Sequence, residues 1–391
     1  MSILFNAIFS SIALGHTFVD LLGAQRAVIF TYIGTQLGIS NTALGALSMA
    51  YVWTQSLSQP FFGWLSDRRG SRWLAAGGVL WMGTFFSLAL LLPGYYALGS
   101  LILASLGSAA FHPAGAAEAT KIGERDFSGH ETTAASYFFL FGQGAYAIGP
   151  MLGGPLLDRF GLTGLLLLSV VGLPIGINSA FRLRSLVNHQ PKEEKAEKKL
   201  NIQLTVGKAF IITLATTIAF QAWIQQTMNT FIPKYLSDLG QTATVYGVVT
   251  GLYMVGGALG NVAGGILADR FGKRNVITGA LLLASLPLFA ISKMGWTPWL
   301  YAVVPLAGAL NGSTHPILVV LAQKTIKGGR GLASGLVLGF KFAAGALGMF
   351  ISGILADYLG FSFIFGMTAI LALSAALIIR TLKSVENQKI L

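Results

Sequence analysis

Twelve apolar runs follow one another along the chain with only short polar breaks. Each is about as long as the ~20 residues an α-helix needs to cross a hydrocarbon core. This spacing removes most architectures at once, because a backbone in lipid must satisfy its own hydrogen bonds and only helices or closed barrels do so. The runs lack the alternating polarity of barrel strands. They fall near residues 3–33, 42–65, 73–92, 98–120, 133–157, 163–182, 207–232, 243–268, 274–293, 298–322, 330–356 and 361–381. Composition agrees: 10% of residues are charged, against about 25% in globular chains. A water-soluble surface cannot be drawn from that supply. The first run begins almost at Met1 without a basic leader and exceeds a signal-peptide core, so it is expected to be a retained helix.

The formal net charge is +12, which raises the question of nucleic acid. The basic residues are spread between apolar runs rather than gathered on a face, so the bilayer is the expected partner and nucleic acid is not. There is no cysteine, hence no disulfide and no thiolate metal site. No cofactor and no metal are expected.

The chain repeats itself. Gly63-Trp64-Leu65-Ser66-Asp67-Arg68-Arg69-Gly70-Ser71-Arg72 returns, shifted by 202 positions, as Gly265-Ile266-Leu267-Ala268-Asp269-Arg270-Phe271-Gly272-Lys273-Arg274. His112-Pro113 is echoed by His315-Pro316, and Asp158 by Asp357. A shift of half the chain signals duplication. The fold class is therefore an all-α polytopic membrane protein, with twelve transmembrane helices in two pseudo-symmetric six-helix halves. The first half is 1–185, a cytoplasmic linker is 186–206 and the second half is 207–391. The linker holds the one long polar stretch, Pro191-Lys192-Glu193-Glu194-Lys195-Ala196-Glu197-Lys198-Lys199, read as a solvated connection. With both termini cytoplasmic, 21 of the 26 Lys and Arg residues lie inside; Arg26, Arg159, Lys234, Lys293 and Lys341 do not.

Ionisable groups at membrane depth are costly and suggest function. His16 and Asp20 are spaced i,i+4 on one helix face, and form a candidate proton site together with His112. The plainer reading is a hydrogen-bonded pair holding the first helix to a neighbour. His112 and His315 each precede a proline, which frees a backbone carbonyl one turn back; a kink with the histidine bonded to that carbonyl is their plain reading. Lys341 is too deep to snorkel and needs an anion: Asp20, Glu118 or a substrate. Candidate substrate contacts are Arg26, Gln55, Gln59, Gln143, Gln221, Gln225, Asn229, His315 and Lys341. Arg26 lies nearer the outer end of its run, where partial snorkelling is the competing reading. Gln221, Gln225 and Asn229 form an i, i+4, i+8 stripe, which either lines a wet cavity or joins helices. Asp67, Arg68, Asp269 and Arg270 in the repeated loops, with Gly149 and Pro150 in the fifth helix, are expected to govern conformational switching.

Three sets of residues carry a family resemblance. The loop pattern G-x-L-[S/A]-D-R-x-G-x-[K/R] resembles the signature of major facilitator superfamily transporters, with Ser71 where that family usually has a basic residue. Ala145-Tyr146-Ala147-Ile148-Gly149-Pro150-Met151-Leu152-Gly153-Gly154 is similar to the G-x-x-x-G-P-x-x-G-G motif of its proton-coupled antiporters, with Ala145 for the first glycine. Gly15-His16-Thr17-Phe18-Val19-Asp20, Leu106-Gly107-Ser108-Ala109-Ala110-Phe111-His112-Pro113 and Gly329-Arg330-Gly331-Leu332-Ala333-Ser334-Gly335-Leu336 together resemble fosmidomycin-resistance-type efflux proteins. Relatives often have Glu where this chain has Ala114, and an apolar residue where it has Lys341.

The resemblance implies a secondary active transporter, a proton-coupled exporter of small organic or drug-like compounds, in the bacterial inner membrane, whose partners are the bilayer, a small-molecule substrate and protons. A monomer is expected. The competing function is a proton-coupled importer of a small organic anion, since a fold does not fix direction. The remote alternative, an intramembrane enzyme, lacks support: no cysteine, H-E-x-x-H or G-x-S-x-G occurs, and no phosphate-binding loop for ATP-driven transport.

Overall fold

The computed structural model describes residues 3–127, 131–184, 203–204, 207–327 and 330–381; the charged linker around 191–199 lies outside them. The described residues form twelve long helices. In chain order they are α1 (Ala7–Leu37), α2 (Asn41–Arg69), α3 (Arg72–Leu91), α4 (Gly94–Asp126), α5 (Glu131–Gly164) and α6 (Leu166–Arg182), then α7 (Lys208–Asp238), α8 (Ala243–Phe271), α9 (Lys273–Met294), α10 (Leu300–Ala322), α11 (330–360) and α12 (361–380). The last two are continuous except at Gly360, whose φ of 79° and ψ of 171° turn the chain. Gly161 near the end of α5 does the same with φ 62° and ψ −162°. That region of backbone space is essentially closed to other residues. A two-residue antiparallel pairing joins Gln203–Leu204 to Ile326–Lys327.

Three helices are interrupted where the sequence pattern predicted continuous ones, and one of them, α6, pauses at Val171 between Leu166–Val170 and Gly172–Arg182. α1 runs 7–37 rather than 3–33 and pauses at Gln25, between Ala7–Ala24 and Arg26–Leu37. α10 pauses at Ser313 and Thr314, after Leu300–Gly312 and before His315. Pro316 has no N–H for the Gly312 carbonyl, so the regular ladder cannot pass through this point. The corresponding Pro113 is carried inside an unbroken α4.

Seven segments are individually long and apolar enough to cross a membrane, and Thr133–Gly164 with Leu166–Arg182 passes as a pair bent by 78°. One of the seven, Val337–Arg380, contains both α11 and α12. The two that fall short, α2 and α7, hold most of the glutamines singled out above, so polarity rather than length removes them.

The chain divides into two compact units: Met1–Gly38 with Ala50–Glu194 and Thr242–Val248, and Ile39–Met49 with Lys195–Gln241 and Val249–Leu391. In the first, α1 packs on α4, α5 and α6, and α3 on α4 and α6. In the second, α7 and α9 pack on the α11–α12 segment, and α9 on α10. Close packing relies on small residues. On α8, Gly256, Gly260 and Gly264 lie directly against the carbonyls of Pro305, Ala309 and Ser313 on α10, where a Cβ would overlap backbone. Four-residue spacing on both helices makes one seam of backbone contact, as membrane helices use in place of a hydrophobic drive.

Candidate functional site

In the first unit α1, α4 and α5 bring three ionisable side chains together. Asp20 accepts from both histidines. His16 Nε2 lies 3.2 Å from Oδ2, and His112 Nε2 lies 3.2 Å from Oδ1. The opposite ring nitrogens are also held: His16 Nδ1 is 2.7 Å from the Phe138 carbonyl, and His112 Nδ1 is 2.8 Å from the Ser108 carbonyl. A carbonyl only accepts, so both Nδ1 atoms carry a hydrogen. A neutral ring would then turn a bare Nε2 lone pair toward a carboxylate oxygen. Each 3.2 Å contact is favourable only when a proton occupies it.

The surroundings are apolar and tight. His16 is 2% exposed and stacks on Phe138 with ring centroids 3.9 Å apart, with Phe111 beyond. Gly142 of α5 faces the pair directly: a Cβ there would overlap the His16 ring and stand 2.6 Å from Asp20 Oδ2. His112 does not take the carbonyl that Pro113 frees but the one before it. It is also 3.2 Å from Ser108 Oγ, which accepts from Gln55 Nε2 at 2.7 Å. Gln55 therefore belongs behind the histidine, while Gln59 is partly buried and Gln143 exposed, and neither reaches the trio. Two imidazoles and a carboxylate with donor atoms within 4.8 Å of one another also have the composition of a cation site.

Arg26 does not snorkel: it is 4% exposed, with its guanidinium 5.1 Å from the Tyr51 ring centroid. Among the described residues its Nε has no hydrogen-bond partner.

The second unit holds a different cluster. Lys341 is 5% exposed, and its Nζ meets His315 Nδ1. The sequence called for an anion beside this lysine. Asp20 is taken by its histidines, and Glu118 accepts from Ser71 Oγ at 2.6 Å and Lys121 at 3.1 Å. The partner found is instead a second basic side chain. His315 is thus bonded to Lys341 rather than to a proline-freed carbonyl. Gln221 donates to the Asn311 carbonyl at 3.3 Å and to Gln225 at 3.4 Å. Asn311 Nδ2 reaches the Tyr253 hydroxyl at 3.4 Å. Asn229 is buried with its Oδ1 unpartnered among the described residues.

These features sit in a chain whose relatives can be named. The Major Facilitator Superfamily model matches residues 12–240 and 210–390. The chain belongs to the major facilitator superfamily. It is a multi-pass membrane protein of a transporter family. It is 30% identical over 361 residues to the uncharacterized MFS-type transporter YfnC of Bacillus subtilis (strain 168), covering 89% of this chain and 86% of the relative. It is 24% identical over 385 residues to the fosmidomycin resistance protein of Escherichia coli (strain K12), covering 95% and 92%. Among solved structures, a bacterial homologue of the human lysosomal transporter Spinster superposes with a TM-score of 0.77 at 14% identity, covering 97% of each chain. The nucleoside transporter NupG gives 0.73 at 14%, covering 95% and 98%.

The superfamily's loop and glycine motifs then acquire contacts. Ser71, the departure from the loop signature, is the hydroxyl that binds Glu118, and Arg72 donates to the Ala180 carbonyl at 2.7 Å. Asp67, Arg68, Asp269 and Arg270 are exposed, with Arg68 4.4 Å from the Trp64 ring centroid and Arg270 5.4 Å from that of Phe271. Gly149 admits α1: a Cβ on it would be 2.7 Å from the Leu21 carbonyl, and its own carbonyl accepts from Gln25 Nε2 at 2.7 Å. Gly153 leaves the space that the Gln25 amide fills. The glycine motif around Pro150 is therefore a socket for the break in α1. Gln25 escaped the sequence reading because nothing in its neighbours marks a break. Phe138, Asn311 and Tyr253 escaped it because a backbone acceptor or a cross-helix hydroxyl leaves no pattern.

Proposed function

We propose that this chain is a proton-coupled secondary transporter that exports small organic compounds. The observation that carries the reading is the trio of Asp20, His16 and His112, one carboxylate held between two imidazoles on membrane-spanning helices. Each bridge requires a proton, so loading and release change the charge of a largely buried site. Such a change is expensive at low dielectric. It is the kind of step that links a proton gradient to movement of a cargo.

The Lys341–His315 pair supports an anionic or acid-bearing cargo, because two basic groups in contact are relieved by a negative charge. Export is supported by the name of the Escherichia coli relative, a resistance protein. The charge distribution supports both termini inside, and membership of the superfamily supports residence in the bacterial inner membrane.

The test uses sealed vesicles containing the purified protein, an imposed proton gradient, and a panel of anionic and neutral drug-like compounds. Accumulation that collapses with a protonophore supports the proposal. Accumulation that ignores the protonophore and follows a divalent-cation gradient sinks it.

A further inference from the structure

Among the described residues the sequence D-x-x-G closes four helices, and in each the glycine takes positive φ: Gly70 at 86°, Gly161 at 62°, Gly272 at 84° and Gly360 at 79°. The aspartates are Asp67 on α2, Asp158 on α5, Asp269 on α8 and Asp357 on α11. Every one stands in the last turns of its own helix, where the macrodipole disfavours a carboxylate. Each is better placed against the first turn of some other helix.

Two have that partner. Asp158 accepts from the Ala243 and Thr244 amides of α8, at 2.8 and 2.7 Å. Asp357 accepts from the Asn41 and Thr42 amides of α2, also at 2.8 and 2.7 Å. Each carboxylate uses both oxygens on the first two amides, donors with no partner inside their own helix. The third is served locally, Ala43 by Ser40 Oγ and Val245 by Thr242 Oγ1. The approach is close. A Cβ on Gly353 would be 2.5 Å from the Asn41 carbonyl, and one on Gly154 would overlap that of Ala243. The other two aspartates, Asp67 and Asp269, lie at the opposite ends of these same helices, α2 and α8, and are exposed.

We propose that Asp158 and Asp357 are a matched pair of latches, holding the first turns of α8 and α2 in one state of the transport cycle and releasing them in the other. Both ends of α2 and of α8 then carry a carboxylate that changes partner. The D-x-x-G loops bearing Asp67 and Asp269 act against the latches. The inference rests on the chain being an alternating transporter of its superfamily, and on neither its cargo nor its coupling ion.

The absence of native cysteine allows a direct test. Spin labels at L37C and L239C, exposed positions related by the repeat shift of 202, report separation at the latched ends by pulsed electron resonance in nanodiscs. In D158A/D357A the ratio of long to short distances should rise at least about fivefold, the effect of losing one helix cap. D67N/D269N should shift the ratio the other way. Should D158A/D357A fail to fold, D158N and D357N alone carry the test, with smaller shifts in the same direction. An unchanged distribution in every folded latch variant overturns the proposal. So does a shift from D67N/D269N in the same direction as the latch variants. No substrate or proton gradient is involved, so failure of proton coupling would leave this result standing.

Discussion

Asp20 is the residue on which the first unit's chemistry turns. Its two oxygens face two imidazoles, and each imidazole is oriented by a carbonyl behind it. Asp20→Asn keeps the shape and removes the charge that holds the protons. Gradient-driven accumulation should be lost while exchange without a gradient survives, which reconstituted vesicles measure side by side. If Asp20→Asn still accumulates fully, the coupling site lies elsewhere. Gly142→Ala tests the packing: its methyl would enter the space of the His16 ring, costing about 1–3 kcal/mol by overpacking and displacing the trio. A lowered melting temperature with impaired coupling is expected, and an unaltered protein would contradict the geometry. Lys341→Met should weaken anionic cargo more than neutral cargo in competition binding, since the ammonium has only His315 beside it among the described residues. The sequence exposed part of this. His16 and Asp20 were legible from i,i+4 spacing, and His112 from its motif. Their convergence was not, because it depends on how α1 and α4 pack. The partner of Lys341 ran against charge logic, which favours a carboxylate over another base.

At the level of elements, helix existence was readable and helix interruption was not. Apolar length marks a span, but the pause at Gln25 depends on a socket far along the chain at Gly149 and Gly153. The pause in α10 lies just before Pro316, yet the same His-Pro pair passes through α4 without a break. Proline thus signals a weakened ladder, and packing decides whether the helix opens. The seam between α8 and α10 gives a contrast that can be measured. Gly260 meets the Ala309 backbone, whereas a Cβ on Gly265, five residues on in the same helix, would have no neighbour within 4 Å. Gly260→Leu should lower the melting temperature sharply, by several kcal/mol of misfit if the helices cannot separate. Gly265→Leu should be near neutral. Equal effects would show that the seam is not what holds these helices.

For the molecule as a whole, duplication was the most informative signal in the sequence. It located the paired loops, the paired histidines and the paired aspartates 158 and 357. It did not foresee that the short stretch 39–49 groups with the second unit and 242–248 with the first, because hydropathy carries no record of which neighbour a helix end chooses. Asp67 belongs to this scale: exposed at a helix end far from His16 and Asp20 in sequence, it should affect switching and not recognition. Asp67→Asn should slow transport with substrate affinity nearly intact, and a large loss of binding with normal turnover would refute that role. Topology is the remaining molecular property, and it rests on charge alone. An even number of spans places both termini on one side, and 21 of 26 basic residues then share that side with the linker. Since the bias of Lys and Arg in short loops sets orientation, that side is expected to be the cytoplasm. Asn188 lies in the linker, and the chain has no native cysteine to confuse the result. A cysteine at 188 should be shielded from an impermeant thiol reagent in intact cells and become reactive once the membrane is opened. Labelling from outside in intact cells would reverse the assignment, moving the loops of Asp67 and Asp269 to the outer face.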